Sequence, residues 1–157
     1  MSIQIRQAES FDADLVTALV HDAYYPYITR LGKPPGPMLE NYQEVINKNY
    51  VYVIEEQGSV LGLIVLKIAH PTFLLDNIAV HPSHQNKGIG KILLKTAEKK
   101  AIESGFDTIT LYTHEKMSEN INLYTHIGYR EIRRVHENGY DRVYMSKNLD
   151  LTSYKRK

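Results

Sequence analysis

Two glycines and two lysines fall together in Gln85-Asn86-Lys87-Gly88-Ile89-Gly90-Lys91, where a strand-like run gives way to a helical one. The first turn of a helix has backbone N–H groups without partners and a partial positive charge, so an anion fits there. Glycine at 88 and 90 removes Cβ atoms that would keep a phosphate from the backbone, and Lys87 and Lys91 add charge on either side. The segment reads as a phosphate cradle, although a Gly-x-Gly at a helix start is also a common packing feature.

Several ligand classes use such a cradle. The dinucleotide fingerprint G-x-G-x-x-G would need glycine at position 93, which is Leu93, and a tight turn directly after the strand. Here seven residues, His81 to Lys87, intervene. A Walker loop would need glycine at 85 and Ser or Thr after Gly90-Lys91; the chain has Gln85 and Ile92. The seven histidines do not assemble a metal motif: His81 and His84 bracket a loop proline, and His114-Glu115 lacks a second histidine at the H-E-x-x-H spacing. No metal is expected. Without cysteine, thiolate catalysis, a covalent acyl-cysteine and a disulfide framework are excluded.

The stretch Ile78-Ala79-Val80-His81-Pro82, followed by Gln85-Asn86-Lys87-Gly88-Ile89-Gly90-Lys91, resembles the acyl-CoA signature of the GNAT N-acetyltransferase superfamily. That signature is [RQ]-x-x-G-x-[GA] after a strand ending in a small-apolar-apolar-x-Pro pattern. A second family element is matched by Glu119-Asn120-Ile121-Asn122-Leu123-Tyr124-Thr125-His126-Ile127-Gly128-Tyr129, with its Asn, its Leu-Tyr and its Gly-aromatic pair. The resemblance covers roughly residues 50 to 147, and the N-terminal third by element order only.

The resemblance implies acetyl-CoA as donor cosubstrate and a primary amine, of a small molecule or a protein, as acceptor. Gln85, Asn86, Lys87, Gly88, Ile89, Gly90 and Lys91 would hold the pyrophosphate. Backbone groups of Ile78, Ala79 and Val80 would pair with the pantetheine arm and polarise the thioester, provided the strand splays from its neighbour there. Asn120 would bind the cofactor arm. Tyr124, four residues on and on the same helix face, would be the general acid that reprotonates the thiolate. The family's acidic base often lies four residues before the cofactor-binding backbone, a position occupied here by Leu74. Asp76, two residues further along and on the same face by strand alternation, is the base candidate, with a water chain as the alternative. Tyr27 and Arg30 either orient a polar or carboxylate-bearing acceptor or pack the loop after them. Two other readings stay open: a non-catalytic acyl-CoA-binding or regulatory module, and a nucleotide-binding protein using the same helix terminus.

The elements that must position these groups follow from periodicity. Ile3 and Ile5 suggest a first strand, and Leu15, Ala18 and Leu19 a helix beginning near Phe11. After the loop Gly32-Lys33-Pro34-Pro35-Gly36-Pro37 a second helix is predicted over about 38–47. Strands are predicted over 50–56, 60–68 and 73–80, the last apolar almost throughout, as for a strand covered on both faces. The long helix opened by the cradle carries Ile89, Leu93, Ala97 and Ala101 inward and Lys91, Lys95, Glu98 and Lys99 outward, stopping at Gly105. A strand over 108–113, a helix over 118–126 and a hairpin around Asn138-Gly139 complete the order β-α-α-β-β-β-α-β-α-β-β. This is an α/β fold with a mixed, mostly antiparallel central sheet flanked by helices.

Residues 1–149 are expected to form one domain, followed by a basic tail over 150–157. Lys plus Arg number 19 against 18 Asp plus Glu, and without Lys155-Arg156-Lys157 the count is 16 against 18. Such a body has no field to attract nucleic acid or a membrane surface. No apolar run reaches the roughly 18 residues of a membrane span, and Met1-Ser2-Ile3-Gln4-Ile5-Arg6 is not a secretory signal. A cytoplasmic location is expected, and the composition admits a homodimer.

Overall fold

The computed structural model describes residues 2–152; the Lys155-Arg156-Lys157 end of the expected basic tail lies outside them. Among the described residues seven strands form one sheet: β1 (Ile3–Gln7), β2 (Tyr50–Glu56), β3 (Ser59–Ala69), β4 (Thr72–Val80), β5 (Thr108–His114), β6 (Arg130–Glu137) and β7 (Tyr140–Asn148). Their spatial order is β1-β2-β3-β4-β5-β7-β6. Each neighbouring pair is antiparallel except β4 and β5, which are parallel. The helices are α1 (Ala13–Tyr24), a one-turn α2 (Ile28–Leu31), α3 (Tyr42–Lys48), α4 (Ile89–Glu103) and α5 (Ser118–His126). None is long and apolar enough to cross a membrane.

Two cores sandwich the sheet. On one face α1 and α3 bury Val16, Leu19, Val20, Ala23, Tyr42 and Ile46 against Val53, Leu63 and Val65. On the other, α4 sets Ile89, Leu93, Ala97 and Ala101 against Ile64, Leu66, Leu75, Ile109 and Leu111. The strand covered on both faces is β3, with Leu61 to Leu66 buried without interruption. In β4, buried residues alternate with half-buried ones, because part of this strand borders open clefts.

Four local expectations are corrected. The inward face of α1 is Ala13, Val16, Leu19, Val20 and Ala23, not Leu15 and Ala18, which are exposed. Residues Ser10–Asp12 form a separate 3-10 turn held by Asp12, whose carboxylate accepts from the Glu9 N–H at 2.8 Å and starts the helix later than Phe11. The second helix is split into a 3-10 turn over Gly36–Leu39 and α3, whose Asn41 cap accepts from the Glu44 N–H. Glu98 does not simply face water, since both its oxygens lie within 3.3 Å of Lys147 Nζ.

The feature that matters for function is in β4. Its pairing with β3 steps from Val65–Asn77 to Leu66–Leu75, which leaves Asp76 as an extra residue in a bulge. A bulge shifts the alternation by one. Phe73 and Leu75 face the α4 core before it, whereas after it Ile78 and Val80 pack toward that core and Ala79 joins the opposite one. Asp76 and Asn77 therefore share a face, and Ile78 points away from Asp76.

Candidate active site

The parallel strands β4 and β5 pair only at Leu74–Thr110 and Leu75–Leu111, although β4 continues to Val80 and β5 to His114. Beyond that point they splay. The β5-facing backbone groups of Asp76 to Val80 thus have no ladder to join, and unpaired backbone groups of this kind are available to a ligand. Two clefts open on either side of the splay.

The first holds about 1660 Å³ counting its open mouth. Its walls are Ile78, Ala79 and Val80 of β4, Gln85 and Asn86 of the loop, Gly90 and Lys91 of α4, and Asn120 and Tyr124 of α5. Eight of the expected cofactor residues meet here. Of the remaining three, Ile89 turns its side chain into the core, so only its backbone can serve, and Lys87 and Gly88 are exposed beside the mouth. Gly88 caps α4 with φ +85°, a left-handed conformation, and Asn86 adopts φ +64°. Gln85 reaches back with its amide to the Val80 carbonyl at 3.3 Å, tying loop to strand. The first α4 hydrogen bond runs from the Ile92 N–H to the Gly88 carbonyl, so the N–H groups of the preceding turn have no partner within the helix. With Lys91 on the wall in the first turn of α4, this end fits a diphosphate, and the long groove fits an extended arm leading from it.

The second cleft, about 700 Å³ with its mouth, lies on the far side of the splay. The bulge brings Asp76 and Asn77 into it from β4; Tyr112 and His114 enter from β5, and Arg142 and Tyr140 from β7. Asp76 accepts from the Tyr112 hydroxyl at 2.9 Å and lies 3.5 Å from Lys67 Nζ. Asn77 takes the Tyr24 hydroxyl on Oδ1 at 2.6 Å and donates to the Tyr42 hydroxyl at 3.2 Å. The Gly/Pro loop forms a roof pinned at three points: Lys33 to the Gly139 carbonyl, Tyr140 to the Pro34 carbonyl, and Tyr42 to the Pro37 carbonyl.

Five residues line both clefts: Tyr24, Tyr27, Ile78, Asn120 and Tyr124. Tyr124 is 7% exposed, and its hydroxyl has no hydrogen-bond partner among the described residues. Burial pushes its phenol up to about 12, so at neutral pH it is a proton donor and not a phenolate. Tyr24 is also raised, by burial and by the neighbouring phenols, and its hydroxyl lies 3.0 Å from the Ile78 carbonyl at the splay. His114 is held below the usual histidine range by burial, and its Nδ1 accepts the Lys116 N–H at 3.0 Å. The neutral ring therefore carries its proton on Nε2 and acts as a donor.

Arg30 does not line either cleft. Its guanidinium pairs with Glu119 at 2.5 Å and lies over the Tyr27 ring, 5.2 Å from the centroid. It ties the loop region after α1 to α5, which corresponds to the packing alternative; Tyr27 stands on the shared wall. Sequence reasoning did not single out Asn77, Tyr112 and Arg142, and weighed His114 only as a metal ligand. The available signal was alternation: Tyr112 and His114 are the half-buried positions that alternate with buried Leu111 and Thr113, and His114 pairs across the ladder with Arg142. Among the described residues no cluster of three His, Asp or Glu side chains could hold a metal.

The Acetyltransferase (GNAT) family model matches residues 15–129. YhfO of Bacillus subtilis (strain 168), an uncharacterised N-acetyltransferase, is 28% identical over 144 residues, spanning 82% of this chain and 91% of that protein. The PaiA N-acetyltransferase of Thermoplasma acidophilum, solved in complex with coenzyme A, matches with a TM-score of 0.77 at 23% identity, over 94% of this chain and 99% of that one. An IAA acetyltransferase from Bacillus cereus ATCC 14579 matches with a TM-score of 0.71 at 24% identity, over 94% and 100% of the two chains. At such identities the two structures speak for the fold alone.

Proposed function

Because the chain belongs to the GNAT acetyltransferase family, we propose that it moves the acetyl group of acetyl-CoA directly to a primary amine, with Tyr124 as general acid. The observation that carries this reading is the wall shared by the two clefts. A donor lying in one cleft and an acceptor in the other would meet at Tyr124, whose hydroxyl has no hydrogen-bond partner among the described residues. The splayed backbone of Ile78 to Val80, the Gln85–Lys91 loop and Asn120 are the proposed cofactor contacts. Coenzyme A bound to the similarly folded PaiA protein supports that choice of ligand.

In the proposed reaction the amine nitrogen attacks the thioester carbonyl carbon, forming the C–N bond as the C–S bond breaks. Backbone N–H groups freed at the splay stabilise the developing oxyanion. The proton lost by the amine goes to Asp76, directly or through water, and the departing thiolate takes a proton from Tyr124. With no cysteine in the chain, no protein thiol can carry the acyl group. A cytoplasmic site of action remains part of the proposal.

Tyr124→Phe tests the assignment. Turnover is expected to fall by about 100-fold or more, while the acetyl-CoA dissociation constant measured by calorimetry changes less than about threefold. An equal loss in both would make Tyr124 a binding residue. Tight acetyl-CoA binding by the unaltered protein, with no thiol release over a broad amine panel, would favour the acyl-CoA-binding module instead.

A further inference from the structure

The acceptor cleft is not a plain apolar hole. Its charged lining side chains are one carboxylate, Asp76, and one guanidinium, Arg142, with the neutral His114 beside them. The two are not paired with each other: the ion partner of Asp76 is Lys67 at 3.5 Å and that of Arg142 is Glu137 at 2.8 Å. Tyr112 separates them. Its hydroxyl donates to Asp76, and the Arg142 guanidinium carbon sits over its ring, 4.4 Å from the centroid. The cleft thus holds a fixed negative and a fixed positive group one tyrosine side chain apart.

Arg142 is pre-set for a ligand. Its side chain is 13% exposed, and Glu137, which also accepts from the Tyr144 hydroxyl, holds it through Nη1. A guanidinium has five N–H donors, and this bond uses one. The Nη2 arm lies beneath Gly36 in the roof; a Cβ at that position would come within 3.2 Å of it. Glycine there keeps the space around the guanidinium open. Arg in such a setting favours planar, bidentate anions such as a carboxylate.

Resting on the transferase reading above, we infer that the acceptor is a small amine that itself carries an anionic group, a free amino carboxylate being the simplest case. Asp76 receives the ammonium end and Arg142 the carboxylate end. A polyamine would set a second cation against Arg142. A lysine in a folded protein would have to pass the pinned loop that roofs the cleft.

The test is a transfer assay at saturating acetyl-CoA, comparing amino acids with their amides, their decarboxylated amines, spermidine and a lysine-containing peptide. The expected result is kcat/KM about 100-fold higher for the best amino carboxylate than for its amide or decarboxylated form. Arg142→Gln should reduce that ratio to below about fivefold, with acetyl-CoA binding by calorimetry as the check that the fold persists. If that variant fails to fold, Gly36→Ala serves instead, since crowding Nη2 should raise KM for the carboxylate-bearing acceptor and not for the plain amine. Equal rates with and without the carboxylate, or a preference for spermidine or the peptide, would overturn the inference alone. Transfer to no member of the panel would overturn it together with the transferase reading.

Discussion

On the α4 side of the splayed strands the cleft is made largely of backbone: the stretch Ile78 to Val80 beyond the β4–β5 ladder, a left-handed turn at Gly88, and the open first turn of a helix. On the other side the cleft is made of side chains brought from dispersed places in the sequence: the end of α1 and the turns after it, the Gly/Pro loop, β4, β5, α5 with Met117 before it, and β7. Backbone can recognise what a whole family shares, a diphosphate and an extended amide-bearing arm. Side chains from dispersed positions can change one at a time without disturbing the sheet, so that side is free to select an acceptor. The bulge at Asp76 is the hinge between the two schemes. It sets Asp76 into the acceptor cleft and Ile78 on the wall the two clefts share within three residues.

Perturbing each side separately should break the protein in different ways. The largest effect is expected on the backbone side. Gly88→Val places a β-branched residue at φ +85°, a conformation costing roughly 1–2 kcal/mol for L-residues, and projects a side chain where the phosphates would lie. Acetyl-CoA affinity by calorimetry should fall by about 100-fold or more, with circular dichroism unchanged; unimpaired binding would move the phosphate site elsewhere. On the side-chain side, Asp76→Asn removes the proposed base while keeping an acceptor for the Tyr112 hydroxyl. Steady-state kinetics should show kcat/KM for the acceptor reduced about 10- to 100-fold and acetyl-CoA affinity nearly constant. An unchanged kcat/KM would favour a water chain as the base.

The smallest functional effect belongs to a region serving neither cleft. Arg6 bonds both oxygens of Asp12 at 2.8 and 2.9 Å and both of Glu55 at 3.0 and 3.2 Å, stitching the start of α1 to the sheet edge. The Arg6 hydrogen bonds hold the buried Asp12 carboxyl below the usual range. Its contribution to stability is therefore present above the unfolded aspartate value of about 3.9 and is lost as pH falls through the lower folded value. Asp12→Ala should cost about 2–3 kcal/mol in a urea titration at pH 7, a difference that shrinks in acid. Where the variant stays folded, transfer should be unaffected.

The contrast between the clefts also explains what could be read from the chain alone. The backbone side was legible because its parts are contiguous: a strand, a loop and a helix start within residues 78 to 91, with the spacing of the loop removing dinucleotide and Walker ligands. The helix bearing Asn120 and Tyr124 was legible down to its ends, Ser118–His126, since Gly128 closes it with φ +110°. The acceptor side resisted for a physical reason. Tyr112 and His114 meet Arg142 only through the β5–β7 pairing, and these two strands are 25 residues apart in sequence, from His114 to Tyr140. Asp76 was found by a strand alternation that holds from Leu74, yet the bulge that reverses Ile78 leaves no signal in a run that is apolar on both sides of Asp76-Asn77. Arg30 looked available because its partner Glu119 lies 89 residues away.

The central claim is that both clefts are filled at once and meet at Tyr124. Initial velocities with acetyl-CoA and the acceptor varied together test it most directly. Double-reciprocal lines that intersect are the predicted result, with no acetyl group retained by the protein in intact mass spectra. Parallel lines, accompanied by an acetylated protein when acetyl-CoA is supplied alone, would contradict it.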